Sequence, residues 1–174
     1  MIVLAGDSFT GWDQKIEKTW HVRIKNEYPN VVNVGEGGIS NVDILRRIKT
    51  YDTAKCYFVI NLSHLCRFPG KVLASINSDC NYVKNEKLAE TYEVENLNMK
   101  ATNKIIELVK DRSFIWTPFF GYEKWSEIND FSNTLAQHNE MFSPKNFEPI
   151  GNHLDQLGHD FIYMKVKEYL DGVN

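Results

Sequence analysis

The strongest constraint in the sequence is its alternation of short apolar runs with longer stretches of helical spacing. Residues 2–5 form an apolar run stopped by Gly6-Asp7-Ser8, a strand followed by a turn. Residues 20–28 have helical spacing and end before Pro29. Residues 31–34 read as a second strand, interrupted by Asn33, that leads into a loop rich in glycine (Gly35, Gly37, Gly38). Ser40 or Asn41 can cap the next helix, where Val42, Leu45 and Ile48 recur at three-residue spacing. Residues 56–62 are the third and most apolar strand, and residues 113–116 a fourth, ended by Thr117-Pro118.

Between those two strands, residues 65–84 show no period and read as a surface excursion. A helical pattern returns over residues 88–110, with Leu97, Ala101, Ile105 and Leu108 on one stripe. After the fourth strand comes an irregular region rich in aromatic residues: Phe119, Phe120, Tyr122 and Trp125. The last helix is expected over residues 155–170, with Ile162, Val166 and Leu170 facing inward and Gly172 just past its end.

Strands separated by helices predict an α/β domain with a mainly parallel sheet and helices on both faces. At 174 residues, without internal repeats, the chain is expected to form a single domain over residues 1–174. Ligands of such sheets gather at the carboxyl ends of the strands. The loops at 6–10, 35–41 and 62–67 are therefore expected to share one edge.

Charge and composition exclude several partners. A net charge of −3 and a pI near 6.0 leave no electrostatic footprint for nucleic acid. No polybasic stretch suits an anionic membrane surface, and the apolar runs are far too short to span one. The amino terminus lacks a basic region followed by an apolar stretch, so a cytoplasmic location is expected. Cys56, Cys66 and Cys80 have neither metal-ligand spacing nor a C-x-x-C pair and read as free thiols. No phosphate-binding or dinucleotide-binding glycine motif is present, and no cofactor is expected.

The turn Gly6-Asp7-Ser8-Phe9-Thr10 is the first candidate for chemistry. A serine directly after a strand holds its hydroxyl at the sheet edge, and its own N–H can face a bound oxyanion. The plainer alternative is that Asp7 or Ser8 only caps the following helix.

In this turn the chain resembles the SGNH (GDSL-type) hydrolases, which carry a G-D-S turn after the first strand. That resemblance implies a flavodoxin-like three-layer α/β/α sandwich that cleaves esters with Ser8 as nucleophile. The family's second block is an Asn with a Gly five residues later, and Asn33 and Gly38 have that spacing. Its last block is a His followed, after five residues, by a second His with Gly before it. His153 to Gly158-His159 fits this pattern and implies His153 as the general base. His159 is left as a structural, surface-helix residue.

Two blocks depart from the family. Its aspartate, two or three residues before the catalytic histidine, is replaced here by Ile150 and Gly151. Glu148 could orient His153 instead, or a backbone carbonyl could complete a Ser-His dyad. Asp155 reads better as a helix cap. The family's G-x-N-D after strand three is Asn61-Leu62-Ser63-His64 here. Either His64 or Asn61 could donate to an oxyanion, and the register favours His64; Ser8 and Gly38 could also suffice.

The string Gly37-Gly38-Ile39-Ser40-Asn41, with Ile44, Arg46-Arg47, Ser63 and Arg67, is similar to a subset associated with bacteriophages, which implies possible virion association. The reaction implied is hydrolysis of a small-molecule or carbohydrate ester, plausibly an O-acetyl group, without cofactor or metal. Trp12, Trp116, Phe119, Phe120, Tyr122 and Trp125 could line a sugar groove, with core packing the default. Arg46 and Arg47 could attract an anionic substrate or form a solvated helix face. The rival readings are an SGNH-fold binding protein with impaired chemistry and an O-acyltransferase using the same Ser-His pair. A flavodoxin-like nucleotide binder is disfavoured, because the first loop has no phosphate cradle.

Overall fold

The computed structural model describes residues 1–11, 19–65, 67, 69, 88–119, 121–132, 134, 154 and 156–173, with backbone alone for 88–92. In chain order the elements are β1 (Ile2–Ala5), α1 (Ser8–Gly11), α2 (Trp20–Glu27), β2 (Val31–Asn33), α3 (Asn41–Ile48), β3 (Tyr57–Asn61), α4 (Leu88–Val109), β4 (Ser113–Thr117), β5 (Ile128–Asp130) and α5 (Gln156–Val173). A short 3-10 turn, Lys110–Arg112, joins α4 to β4.

Every strand pair is parallel and the order is β2-β1-β3-β4-β5. This is the flavodoxin-like order, which places a crevice where the chain reverses direction, between β1 and β3. Val3 pairs with Val32 on one side and Phe58 on the other, so β1 lies inside the sheet.

The period of two along each strand sorts side chains onto two faces. Val3, Ala5, Phe58, Ile60 and Ile115 pack with Ile44 and Ile48 of α3 and Ile105 and Val109 of α4. Ile2, Leu4, Val59, Phe114 and Trp116 pack with Trp20 and Ile24 of α2 and Ile162, Val166 and Leu170 of α5. The fold is thus the expected α/β/α sandwich. Each fully buried Ile or Leu here contributes roughly 2 kcal/mol through lost apolar exposure.

Several details differ from the sequence reading. The inward residues of α3 are Ile44 and Ile48, beside the buried Asn41, while Val42 and Leu45 are only half-buried. In α4, Leu97 is 48% exposed, and Val94, Asn98, Ala101, Thr102, Ile105 and Val109 are buried. The true stripe runs through two polar residues, which apolar periodicity passes over. Strand β5 was not expected; it has a single buried apolar side chain, Ile128. Helix α5 continues through Gly172 to Val173 instead of stopping before it. Most of the excursion at 65–84 lies outside the described residues, but Leu65 at its start is buried.

Candidate active site

The nucleophile turn is built by close backbone packing. Gly6 has φ 156°, and a Cβ there would lie 2.6 Å from Thr10 Oγ1 and 2.8 Å from Asn61 Cβ and O. Only glycine fits that gap between the ends of β1 and β3. Asp7 Oδ1 accepts the Phe9 N–H at 3.1 Å, and the Asp7 carbonyl accepts from Thr10 and Gly11, both at 2.9 Å. These bonds wind residues 8–11 into one helical turn. Ser8 opens that turn at the carboxyl end of β1, 7% exposed.

The second loop is tied to the first. Asn33 Nδ2 donates to the Thr10 carbonyl at 2.8 Å, and Asn33 Oδ1 accepts from the Gly35 N–H at 2.9 Å. The Glu36 N–H donates to the Gly6 carbonyl at 3.0 Å. Gly38 is buried with φ 80°, in the left-handed region that favours glycine. Neither the Ser8 N–H nor the Gly38 N–H donates to another described residue. Buried backbone N–H groups without partners are rare, and a pair of them beside a serine can receive an oxyanion.

The third loop is anchored from behind by a buried polar network. The Ser63 N–H donates to Asn41 Oδ1 at 2.8 Å, and Tyr122 OH donates to the Ser63 carbonyl. Asn41 Nδ2 donates to Tyr122 OH at 2.6 Å and to Thr102 Oγ1 at 3.1 Å. Asn98 Nδ2 donates to the carbonyls of Leu65 and Arg67 at 2.7 and 2.8 Å. His64 is therefore held between fixed neighbours, with its ring edge-on to Phe119 at 5.4 Å. Phe119 also meets Phe9 edge-on at 5.7 Å, which brings the first and third loops to one aromatic contact. Asn61, by contrast, is fully buried at the end of β3, with Nδ2 donating to the Leu62 carbonyl at 3.3 Å. Its Oδ1 is buried without a hydrogen-bond partner among the described residues, so the side chain is only half satisfied.

The electrostatics centre on Asp7. Its carboxyl is fully buried, and that burial pushes its pKa up to about 6, against the opposing pull of Arg67 and the Phe9 N–H. Arg67 Nη1 lies 3.8 Å from Asp7 Oδ2, too far for a hydrogen bond but close enough for attraction. The Ser63 hydroxyl favours the charged form only weakly, because neither its oxygen nor Asp7 Oδ2 has a partner at hydrogen-bond distance. Burial also lowers the pKa of His64, helped by the nearby Arg67 charge and opposed by Glu95. His64 thus stays neutral further into acid than a free imidazole and keeps one N–H to donate.

Of the other sequence candidates, Arg47 is committed to its own chain, donating to the Val34 carbonyl at 2.7 Å and pairing with Glu36. Arg46 pairs with Asp43 within α3. Trp116 and Tyr122 are fully buried and Trp125 is 9% exposed, so core packing accounts for them. Phe119 makes ring contacts with both Phe9 of the first loop and His64 of the third. Cys56 is a buried free thiol. No group of three or more metal-ligating side chains occurs among the described residues, and no described helix is long and apolar enough to cross a membrane.

His153, Glu148, Asp155, Trp12, Phe120, Cys66 and Cys80 lie outside the described residues. Leu154, next to His153, is fully buried in the apolar cluster that also holds Phe9, next to Ser8. His159 is 3% exposed in α5, which corrects its reading as a surface residue: it belongs to the face of the helix turned to the sheet. Sequence reasoning overlooked Asn41, Asn98 and Thr102 as supports of the third loop. Their signal was polar residues standing at inward helical positions.

No family model and no curated protein matches the sequence. Solved structures do match it in three dimensions. A lipase/acylhydrolase from Enterococcus faecalis has a TM-score of 0.58 at 13% identity, covering 98% of this chain and 95% of that one. The lipase Lip_vut3 from a goat rumen metagenome gives 0.54 at 15% identity, covering 96% and 95%. The psychrotrophic esterase EstA from Pseudoalteromonas sp., in a structure inhibited by monoethylphosphonate, gives 0.50 at 14% identity, covering 98% of both chains. At such identities the likeness is one of fold, and it spans nearly the whole chain. With a G-D-S turn closing β1 of a β2-β1-β3-β4-β5 sheet, this chain has the α/β/α fold of these lipase and esterase structures.

Proposed function

We propose that the protein is a serine ester hydrolase with Ser8 as its nucleophile. The observation that carries this reading is the placement of Ser8 at the switch point of the sheet, on a turn tied through Asn33 and Glu36 to the loop that leads to Gly38, with neither the Ser8 nor the Gly38 N–H bonded to a described residue. Ser8 Oγ attacks the ester carbonyl carbon while His153 takes its proton. The N–H groups of Ser8 and Gly38 hold the resulting oxyanion, with His64 as the third donor. Collapse expels the alcohol, which receives the proton from His153, and leaves an acyl-Ser8 ester. Water, deprotonated by His153, then releases the acid. Leu154, the residue after His153, is buried in the same apolar cluster as Phe9, the residue after Ser8. The acid that orients His153 is Glu148 or, in a dyad, a backbone carbonyl; a large loss of kcat in Glu148→Gln would identify a triad.

The substrate class we favour is an O-acetylated carbohydrate, with Phe119, partly buried beside His64, as the aromatic residue nearest the third loop that could contact a sugar. Labelling with a fluorophosphonate, followed by peptide mapping, tests the core of the proposal. Modification confined to Ser8, and lost in a folded Ser8→Ala variant, is the expected result. An unlabelled wild-type protein would mark the chain as a binding protein on a hydrolase fold. Comparing acetyl-sugar and long-chain p-nitrophenyl esters tests the substrate class, and added alcohol acceptors reveal any acyl transfer.

A further inference from the structure

We propose that His21 is a positioning residue for the Ser8 site, acting as a neutral acceptor that fixes the Asn33 amide between the first and second loops. This inference rests on the Ser8 reading above and extends it to a residue that touches no reacting atom.

The chemistry of Asn33 forces the role. Its Oδ1 accepts the Gly35 N–H at 2.9 Å, and its Nδ2 donates to the Thr10 carbonyl at 2.8 Å. A backbone donor at one end and a backbone acceptor at the other leave the amide only one orientation. The second Nδ2 hydrogen is then directed at His21 Nδ1, 3.4 Å away. A nitrogen facing an N–H must offer a lone pair, so His21 is neutral with its proton on Nε2. An imidazolium would set two N–H groups against each other.

The site depends on that amide. Thr10 lies in the helical turn opened by Ser8, and Gly35 begins the loop that carries Gly38. With the amide locked, both loops keep one spacing, and the Ser8 and Gly38 N–H groups keep one separation. His21 can hold its place because it is 2% exposed on α2, beside Trp20. Trp20 in turn donates from Nε1 to the Phe9 carbonyl at 2.8 Å, so α2 holds the nucleophile turn directly through Trp20 and indirectly through His21 and Asn33. The ionised groups along α2 and α5 pair with one another, Arg23 with Asp160 at 2.6 Å and Glu27 with Lys167 at 3.2 Å.

The test combines His21→Leu, His21→Gln, Asn33→Ala and the double variant His21→Leu/Asn33→Ala. Readouts are kcat and KM on p-nitrophenyl acetate and the rate of Ser8 phosphonylation. His21→Leu is expected to lower kcat by about tenfold or more with little change in KM, since small misplacements of reacting groups are costly. His21→Gln, whose Oε1 can accept from Asn33, should recover most of that loss. The double variant should be no slower than Asn33→Ala, because both remove one coupling. Imidazole 15N NMR of the wild-type protein should show the proton of His21 on Nε2. Equal labelling rates for wild type and a folded His21→Leu, multiplicative losses in the double variant, or a proton on Nδ1 would each overturn the inference. A wild-type protein that does not label at Ser8 overturns the hydrolase reading itself, and this inference with it, which separates the two failures.

Discussion

A Cβ placed on Gly11 would lie 2.3 Å from the Gly35 carbonyl carbon and 2.3 Å from the Glu36 nitrogen. The end of the nucleophile turn and the start of the second loop therefore touch backbone to backbone. The contact is reciprocal, since a Cβ on Gly35 would meet the Gly11 nitrogen at 2.9 Å and Thr10 Cγ2 at 2.8 Å. No flexible side-chain tip is available to yield at Gly11. The two loops that carry Ser8 and Gly38 are thus fixed relative to each other by sterics as well as by Asn33.

Gly11→Ala should accordingly destabilise the fold by about 2 kcal/mol or more and lower kcat in whatever fraction remains folded. Gly172→Ala is the control, since a Cβ there meets nothing within 4 Å inside α5. Replacing a helical glycine by alanine in open space should stabilise by roughly 0.5–1 kcal/mol. Urea denaturation of both variants measures the difference, and equal midpoints would contradict the close packing.

Asp7 supplies a prediction about pH. Its folded-state pKa is raised from 3.8 to about 6, so the folded protein holds this proton more tightly than the unfolded chain. The cost of burying the carboxylate is absent below the unfolded value, grows as pH rises, and is complete above the folded one. It amounts to about 3 kcal/mol above that window. Asp7→Asn keeps the Oδ1 acceptor for Phe9 and removes the titration. Its stability relative to wild type should therefore improve between about pH 4 and pH 6 and level off above that. A gap that stays constant across that range, measured by denaturant melts, would show that Asp7 titrates normally.

The two carboxyl-terminal histidines should separate cleanly. His159 is buried in α5 at 3% exposure, so His159→Ala should cost roughly 1–3 kcal/mol of stability while leaving kcat nearly intact. His153→Ala should do the reverse, with kcat falling by about a hundredfold to ten-thousandfold at wild-type stability. Paired melting curves and steady-state rates decide it, and the opposite ranking would transfer the base to His159.

The sheet was legible because β1 and β3 are buried on both faces and read as uninterrupted apolar runs. The G-D-S turn was legible through its resemblance to a family block, and close packing at Gly6 and the bonds of Asp7 account for its first two residues. What escaped notice is polar and inward-facing. Asn98 and Thr102 sit on the buried stripe of α4, where an apolar count selects the exposed Leu97 instead. Asn98 donates to a loop 31 or more residues away in sequence and Thr102 accepts from Asn41, 61 residues away, and no local period encodes either bond. β5 was missed for a different reason: three residues with one buried apolar side chain become a strand only when β4 supplies the partner. His21 was invisible as a support because its meaning depends on Asn33, on the other side of the α2–β2 turn.

His64 carries the last prediction. The third loop presents it from a rigid base, since the Ser63 backbone is bonded at both its N–H and its carbonyl and the Leu65 carbonyl accepts from Asn98. Burial and the Arg67 charge lower its pKa, so the ring remains neutral at ordinary pH and offers a single N–H rather than a full charge. A neutral donor facing the oxyanion strengthens its hydrogen bond as negative charge develops on the carbonyl oxygen, an effect that appears in kcat more than in KM. His64→Ala should therefore reduce kcat by about a hundredfold, with KM changed little. His64→Asn, which keeps a neutral side-chain N–H donor at this position, should restore much of the rate. Asn61→Ala is the informative contrast. Its side chain is fully buried under Gly6, so the variant should lose stability while keeping kcat in the folded protein. If His64→Ala instead turns over at nearly the wild-type rate, the N–H groups of Ser8 and Gly38 carry the oxyanion alone, and His64 serves to pack Phe119.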